Sequence, residues 1–229
     1  MKFIVLMCVA LSLFANEQGV STRDRVLTLN QEAKVPFTGL KTQEKVIALT
    51  FDDGPNVKVT GAILDVLKRQ EVSATFFVAG KNIKKNPALL KRVHAEGHEI
   101  GNHSMTHPRL PSLDIEGVQR EILGNQELIQ EELGFKPVLF RAPYLKHDDK
   151  VWQVLSRAKL YSLNAAHYFD YKQKGPLEEH AKRCVKELKS GAVILIHERE
   201  VSLKFLEEFI QKAKIEGYSF LKASDLIVR

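Results

Sequence analysis

Apolar and amphipathic segments alternate along most of the chain. Short runs rich in apolar residues are typical of strands, and they occur at residues 46–51, 73–78, 98–102, 138–141, 160–164, 192–196 and 218–221. Apolar residues at helical spacing predict helices at 60–69, 87–96, 115–133, 148–158, 177–189 and 202–215. This alternation predicts an α/β fold, an irregular barrel with a parallel sheet. A dinucleotide-binding fold has little support, because no Gly-x-Gly-x-x-Gly turn follows the first strand.

The amino terminus has a different pattern. MKFIVLMCVALSLFANE has one lysine, an apolar run from Phe3 to Phe14 and then small and polar residues. This run is too short to span a bilayer and is typical of a secretory signal peptide cleaved near Ala15; a buried first strand or helix is the alternative. We therefore predict a signal peptide at 1–15, a loose polar leader at 16–43 and one domain at 44–229, exported to the periplasm, the cell envelope or the medium.

Composition and charge narrow the choice of partner. The 229 residues are 44% hydrophobic, enough for a sizeable core, and carry a net charge of +6. Excess positive charge favours anionic surroundings such as a bacterial envelope. The basic residues are spread along helices without interleaved aromatic residues, so no nucleic-acid partner is predicted. After signal removal Cys184 is the only cysteine, so no internal disulfide is expected. No membrane span is expected after signal removal either.

Ionisable residues collect where the predicted strands end, at the rim that carries the sites of α/β barrels. Asp52-Asp53 follows the first strand, and HSMTH, residues 103–107, follows the third. Two histidines four apart can bind one ion, and a carboxylate completes a two-histidine, one-carboxylate site. The spacing does not choose between the two aspartates. We assign Asp53 as the ligand and Asp52 as the base that takes a proton from the bound water.

One divalent metal ion is expected at this rim. Zn²⁺ is the first choice because it lowers the pKa of bound water to about 7, and nitrogen and oxygen ligands also accept Co²⁺, Mn²⁺ or Ni²⁺. The same ligand set marks non-haem iron(II) oxygenases. Those enzymes would need neither the second aspartate nor a late histidine, so a hydrolase is favoured.

Arg141 and Tyr144 lie in the turn after the fourth predicted strand. Arg141 is expected to keep Asp52 ionised through a bidentate pair, with a surface salt bridge as the alternative. The extended turn before Tyr144 could direct its backbone N–H at a developing oxyanion.

His197 ends the strand at 192–196. Its place suits a general acid that protonates a leaving amine, and a carboxylate partner would keep it cationic. The nearest candidates in the loops are Asp170 and Glu198. The alternative is a histidine at the edge of the core, held by a backbone group.

Four motifs, in this order, resemble those of the polysaccharide deacetylase (NodB-like) family of carbohydrate esterases: TFDDGP at 50–55, HSMTH at 103–107, RAPY at 141–144 and LIH at 195–197. The resemblance covers about residues 44–225. It implies a distorted (β/α)7 barrel, one divalent metal ion and removal of acetyl groups from N-acetylated sugars. The roles that it implies are Asp52 as base, Asp53, His103 and His107 as metal ligands, Arg141 as the residue that orients the base, Tyr144 N–H in the oxyanion hole, Leu195 in the acetyl pocket and His197 as acid.

The fourth motif of the family differs in this chain. The family usually has Asp-Trp, whose aspartate pairs with the acid histidine and whose tryptophan walls the acetyl pocket, and this chain has NAAHYFDYK. An ungapped alignment places His167-Tyr168 there, whereas two inserted residues place Asp170-Tyr171. We favour Asp170, with Tyr171 beside the substrate, because a carboxylate raises the pKa of His197.

The predicted function is metal-dependent removal of N-acetyl groups from the N-acetylhexosamines of a polysaccharide by a secreted enzyme. Peptidoglycan is the first substrate, because export and basic charge suit an anionic wall. Chitin, chitooligosaccharides or an exopolysaccharide come next. The sequence leaves the oligomeric state open, and the altered fourth motif leaves a non-catalytic, glycan-binding member of the family as the minority interpretation.

Overall fold

Strands and helices alternate in the structure, a computed structural model that describes residues 22–170 and 175–228. The strands are β1 (Val46–Gly54), β2 (Thr75–Val78), β3 (Glu99–Asn102), β4 (Leu139–Phe140), β5 (Tyr161–Ser162), β6 (His167–Tyr168), β7 (Ala192–His197) and β8 (Ser219–Leu221). The α-helices are α1 (Thr22–Ala33), α2 (Thr60–Arg69), α3 (Gly80–Ile83), α4 (Pro87–Ala95), α5 (Ile115–Leu133), α6 (Asp149–Arg157), α7 (Leu177–Glu187), α8 (Glu200–Ile215) and α9 (Ala223–Ile227).

The strands form one parallel sheet curled into a half-barrel, with helices around it. The strand order is β5-β4-β3-β2-β1-β7-β6, and β8 pairs with the first residues of β1. The long central strands β1 and β7 are buried almost throughout, which explains why they read as continuous apolar runs instead of alternating patterns. The predicted distorted α/β barrel is confirmed, and its parallel strands end at one rim.

The predicted elements differ from the observed ones mainly in length. Helices α2 and α5 have the predicted bounds, whereas the strands expected at 138–141 and 160–164 shorten to the two residues of β4 and β5. Elements α3, β6 and α9 were not predicted, because two to five residues are too few to show a period. Within the two described ranges, each helix is too short or too polar to cross a membrane.

The expected loose leader is corrected by the structure over its described part. Helix α1 contacts β5 and α6. The Phe37 N–H donates to the Ser162 carbonyl oxygen at 2.9 Å, and the Leu40 N–H donates to the Gly191 carbonyl oxygen at 2.7 Å. These residues therefore connect β5 to the start of β7 through backbone hydrogen bonds, and the Phe37 side chain is buried between them and the sheet. The predicted signal peptide lies outside the described residues.

Candidate active site

Strand β1 ends in a bulge that brings two consecutive carboxylates to one pocket. Asp52 pairs with Phe77 of β2 and Gly54 pairs with Val78, so Asp53 is an extra residue in β1. The φ angle of Asp53, 71°, lies in the left-handed region. Consecutive strand residues normally point to opposite faces, and a bulge re-aims one of them. Both aspartate side chains consequently line the same pocket.

The HSMTH loop places two imidazoles beside Asp53. Asp53 Oδ1 lies 3.5 Å from His103 Nε2 and 3.1 Å from His107 Nε2. His103 Nδ1 is 2.7 Å from the Arg141 carbonyl oxygen. Because that oxygen can only accept, Nδ1 carries the proton and Nε2 offers its lone pair to the pocket. One ligand atom from each of the three side chains lies within 4.8 Å of the others, and such a nitrogen, nitrogen and oxygen set fits a divalent metal ion.

The electrostatics of the cluster favour a positive charge between these groups. Burial opposes ionisation of Asp53, but the His103 and His107 imidazoles beside its carboxylate outweigh burial and lower the pKa of Asp53. Burial also lowers the pKa of His103, but the Asp52 and Asp53 carboxylates outweigh it and raise that pKa. A metal cation would supply the positive charge that this arrangement favours.

Arg141 fixes Asp52 from beneath the pocket. Its guanidinium is fully buried, and Arg141 Nη1 donates to Asp52 Oδ1 at 2.7 Å. The expected bidentate pair is not formed, because Arg141 Nε and Nη2 donate instead to the carbonyl oxygens of Leu163 and Asn164, at 3.3 and 3.2 Å. Asp52 therefore keeps Oδ2 available on the side of His103, whose Nε2 is 3.9 Å away.

His197 lies opposite Asp52 in the β1–β7 register and is paired with Asp170. Asp170 Oδ2 accepts from the His197 backbone N–H at 2.9 Å and lies 2.8 Å from His197 Nδ1. Burial raises the pKa of Asp170, but the hydrogen bond from His197 outweighs it and lowers that pKa. This geometry favours the alignment with two inserted residues. His167 pairs with Ile194 in the β6–β7 ladder instead.

The pocket has a volume of about 420 Å³. Beside the carboxylates and imidazoles it is lined by Tyr144, Leu145, Tyr168, Leu195 and Arg199. Tyr144 is 60% exposed and its ring meets that of His107 edge to face at 4.9 Å. Tyr168 pairs with Leu195 in the β6–β7 register, so these two form an apolar wall. Tyr171 lies outside the described residues.

A larger cleft of 630 Å³ lies elsewhere, around Lys45 and Tyr218. No histidine or aspartate is among its described lining residues. The chemistry-bearing groups therefore belong to the smaller pocket.

Sequence reasoning missed two neighbours of Asp53 and the partner of Glu198. The Asn82 side-chain amide donates to the Asp53 carbonyl oxygen at 2.7 Å, and Arg199 Nη2 lies 3.8 Å from Asp53 Oδ2. Glu198 was a candidate partner of His197, but its carboxyl bonds to the Thr60 hydroxyl instead. Burial raises the pKa of Glu198 to about 7. Asn82 and Arg199 follow no motif or period, so no local signal marked them.

Comparison with known proteins identifies the family to which the chain belongs. The profile of the polysaccharide deacetylase family matches residues 39–163. The peptidoglycan-N-acetylglucosamine deacetylase PgdA of Listeria monocytogenes is 33% identical over 86% of this chain and 42% of its own length. The peptidoglycan-N-acetylmuramic acid deacetylase PdaC of Bacillus subtilis is 36% identical over 80% of this chain and 39% of its own length. The chain thus spans about two fifths of each relative.

Solved structures show the same fold. A structure of Bacillus subtilis PdaC superposes with a TM-score of 0.74 at 35% identity, covering 82% of this chain and 92% of that one. The chitin deacetylase of the fungus Colletotrichum lindemuthianum gives 0.76 at 28% identity, covering 84% and 91%. With a family profile over more than half of its residues and relatives above 30% identity over four fifths of them, this chain belongs to the polysaccharide deacetylase family.

Proposed function

We propose that this protein is a metal-dependent hydrolase that removes N-acetyl groups from the N-acetylhexosamines of a polysaccharide. The observation that carries the proposal is the convergence of Asp52, Asp53, His103, His107 and His197 on one pocket. Amide hydrolysis needs an activated water, stabilisation of an oxyanion and a proton for the leaving amine. The pocket offers a group for each requirement.

Asp53, His103 and His107 would hold the metal ion. When bound, such an ion supplies Lewis acidity and lowers the pKa of coordinated water, to about 7 for zinc. Zn²⁺ is the proposed ion, since two imidazoles and one carboxylate are ligands that it favours. The pairing of His103 Nδ1 with the Arg141 carbonyl oxygen supports this role, because it directs Nε2 to the ion.

Asp52 is the proposed general base. Arg141 occupies Asp52 Oδ1, so Oδ2 accepts the proton from the attacking water. The oxygen of that water forms the new bond to the acetyl carbon, and the carbonyl oxygen takes up the negative charge. The Tyr144 backbone N–H is the proposed donor to this oxyanion.

His197 is the proposed general acid. Its Nδ1 is engaged by Asp170, so Nε2 delivers a proton to the leaving nitrogen as the C–N bond breaks. The products are acetate and a sugar with a free amine. Leu195 and Tyr168 would contact the acetyl methyl group, because both are largely apolar and line the pocket.

Peptidoglycan is the proposed substrate, and chitin is the second candidate. Two relatives are named for peptidoglycan deacetylation and one structural neighbour for chitin deacetylation. The net charge of +6 and the predicted signal peptide support an exported protein that works on an anionic wall.

Acetate release from purified peptidoglycan and from chitooligosaccharides, with and without a chelator, tests the proposal. We expect faster release from peptidoglycan, loss of release with the chelator and recovery with added Zn²⁺. Zinc-loaded protein that binds peptidoglycan but releases no acetate from either glycan would show a glycan-binding protein and refute the enzymatic function.

A further inference from the structure

Glu198 is a buried acidic side chain without a role in the proposed reaction. It follows His197, and its backbone N–H donates to the Asp52 carbonyl oxygen at 3.1 Å. The residue is 1% exposed, and its Oε1 has no hydrogen-bond partner among the described residues. Burial of a carboxyl group with an unmade hydrogen bond costs free energy, so this placement needs a reason.

The side chain of Glu198 reaches the turn that follows the two aspartates. Oε2 accepts from the Thr60 hydroxyl at the start of α2 and from the Asn56 N–H, the latter at 3.4 Å. The Asn56 side-chain amide donates to the Glu198 carbonyl oxygen at 3.0 Å. Residue 198 is therefore bonded to both ends of the turn, at Asp52 and at Asn56.

Gly54, inside this turn, leaves room for the carboxyl. A Cβ at Gly54 would lie 1.5 Å from Glu198 Oε1 and 2.3 Å from its Cδ, so any larger residue would displace the carboxyl. Asp53, the preceding residue, has its left-handed φ of 71°. Such a conformation is unfavourable for a residue other than glycine and persists where the surroundings impose it. Asn82 donates to the Asp53 carbonyl oxygen, and Glu198 is hydrogen-bonded to Asp52 before Asp53 and to Asn56 after it.

We propose that Glu198 is a positioning residue: its carboxyl, bonded to Thr60 and Asn56, and its backbone N–H, bonded to Asp52, together keep the Asp52 and Asp53 carboxylates directed into one pocket. The inference rests on the proposed metal-dependent function. It requires the shape of Glu198 and its hydrogen-bond acceptor, both of which glutamine retains, and it does not require a negative charge.

The test compares Glu198→Ala and Glu198→Gln with wild type. Zn²⁺ affinity of the metal-free protein is measured by competition with a chromophoric chelator, and kcat and KM are measured on peptidoglycan. We expect Glu198→Ala to weaken Zn²⁺ binding about tenfold and to lower kcat by about as much, with little change in KM. Glu198→Gln should stay close to wild type in all three.

Glu99 provides a matched control at the opposite end of the barrel. Its Oε2 accepts from the Thr75 hydroxyl at 2.8 Å and from the Ser224 N–H at 3.1 Å, the same two kinds of donor that meet Glu198. Glu99→Ala therefore removes an equivalent pair of hydrogen bonds far from the metal ligands. We expect it to lower the melting temperature without changing Zn²⁺ affinity.

Thr60→Val keeps the test decisive if Glu198→Ala does not fold. It keeps the side-chain shape but removes the hydroxyl, which donates to Glu198 and accepts from the Asn56 N–H, and we expect a weaker loss of Zn²⁺ affinity in the same direction. Unchanged Zn²⁺ affinity and kcat in the folded variant overturn the role of Glu198, as does equal damage from glutamine and alanine. Wild-type protein that binds no Zn²⁺ instead overturns the metal site, a failure that wild-type data alone reveal.

Discussion

At the scale of single residues, each reacting side chain has a neighbour that determines which atom it offers. The Arg141 carbonyl oxygen engages His103 Nδ1, and Asp170 engages His197 Nδ1. The Arg141 guanidinium occupies Asp52 Oδ1. In each case the other nitrogen or oxygen is the atom proposed to serve the metal ion, the leaving group or the water. This preorganisation avoids reorientation during the reaction.

Asp52→Asn tests the proposed base. An amide cannot accept the proton, so we expect kcat to fall about 10³-fold, while Zn²⁺ affinity stays, because Asp53 and the two histidines are unchanged. Both quantities are measured on the same preparation. The control is Asp65→Asn, which alters an exposed ion pair with Arg92 and should leave kcat unchanged. Turnover by Asp52→Asn within tenfold of wild type would exclude Asp52 as the base.

The Asp170–His197 pair predicts a pH dependence of stability. The pKa of Asp170 is lowered in the folded state from an unfolded value of about 3.9. The pair therefore stabilises the fold fully above about pH 4, and this contribution is lost as the pH falls through the folded-state pKa. Urea unfolding of wild type and Asp170→Asn should show a difference in free energy that is constant above about pH 4 and shrinks below it. A difference independent of pH would contradict the pairing.

At the scale of elements, the segment before β1 completes the barrel. Residues 37–40 join the short strand β5 to β7, next to β6, where the sheet path would otherwise end. Phe37 is 8% exposed and packs in the cluster that contains Leu163 and Val193. This segment therefore contributes to the stability of the barrel whose other end carries Asp170 and His197.

Phe37→Ala should lower the free energy of unfolding by about 3 kcal/mol, since it removes a buried aromatic side chain. The control is Val35→Ala in the same segment, which is 55% exposed and should change stability little. Denaturant unfolding measures both variants. Equal, small losses of unfolding free energy in the two variants would show that the segment adds little to the stability of the barrel.

How much of each element the sequence predicts depends on where its signal lies. The apolar run of β1 and the helical spacing of α5 lie within the segments themselves, and TFDDGP and HSMTH are contiguous at strand ends, so the sequence predicts them. The bulge at Asp53 depends on pairing with β2, which no local pattern contains. The two-residue strand β6 depends likewise on pairing with β7. The contacts of residues 37–40 depend on Ser162 and Gly191, which are far away in the sequence, so no local pattern predicts either feature.

At the scale of the whole molecule, the site exists only in the folded barrel. The carboxylates come from β1, the imidazole ligands from the loop after β3, and Arg141 from the loop after β4. His197 comes from β7, and Asp170 follows β6. Parallel strands that end at one rim bring these distant segments together. Loss of the fold would therefore separate the proposed metal ligands as well as the proposed acid and base.

A crystal structure of the protein with Zn²⁺, with anomalous data at the zinc edge, tests the central claim most directly. The account predicts one peak per chain, coordinated at about 2.0–2.2 Å by the Asp53 carboxylate and by Nε2 of His103 and His107, with Asp52 outside the coordination sphere. A peak elsewhere, or one coordinated by Asp52 in place of Asp53, would contradict it.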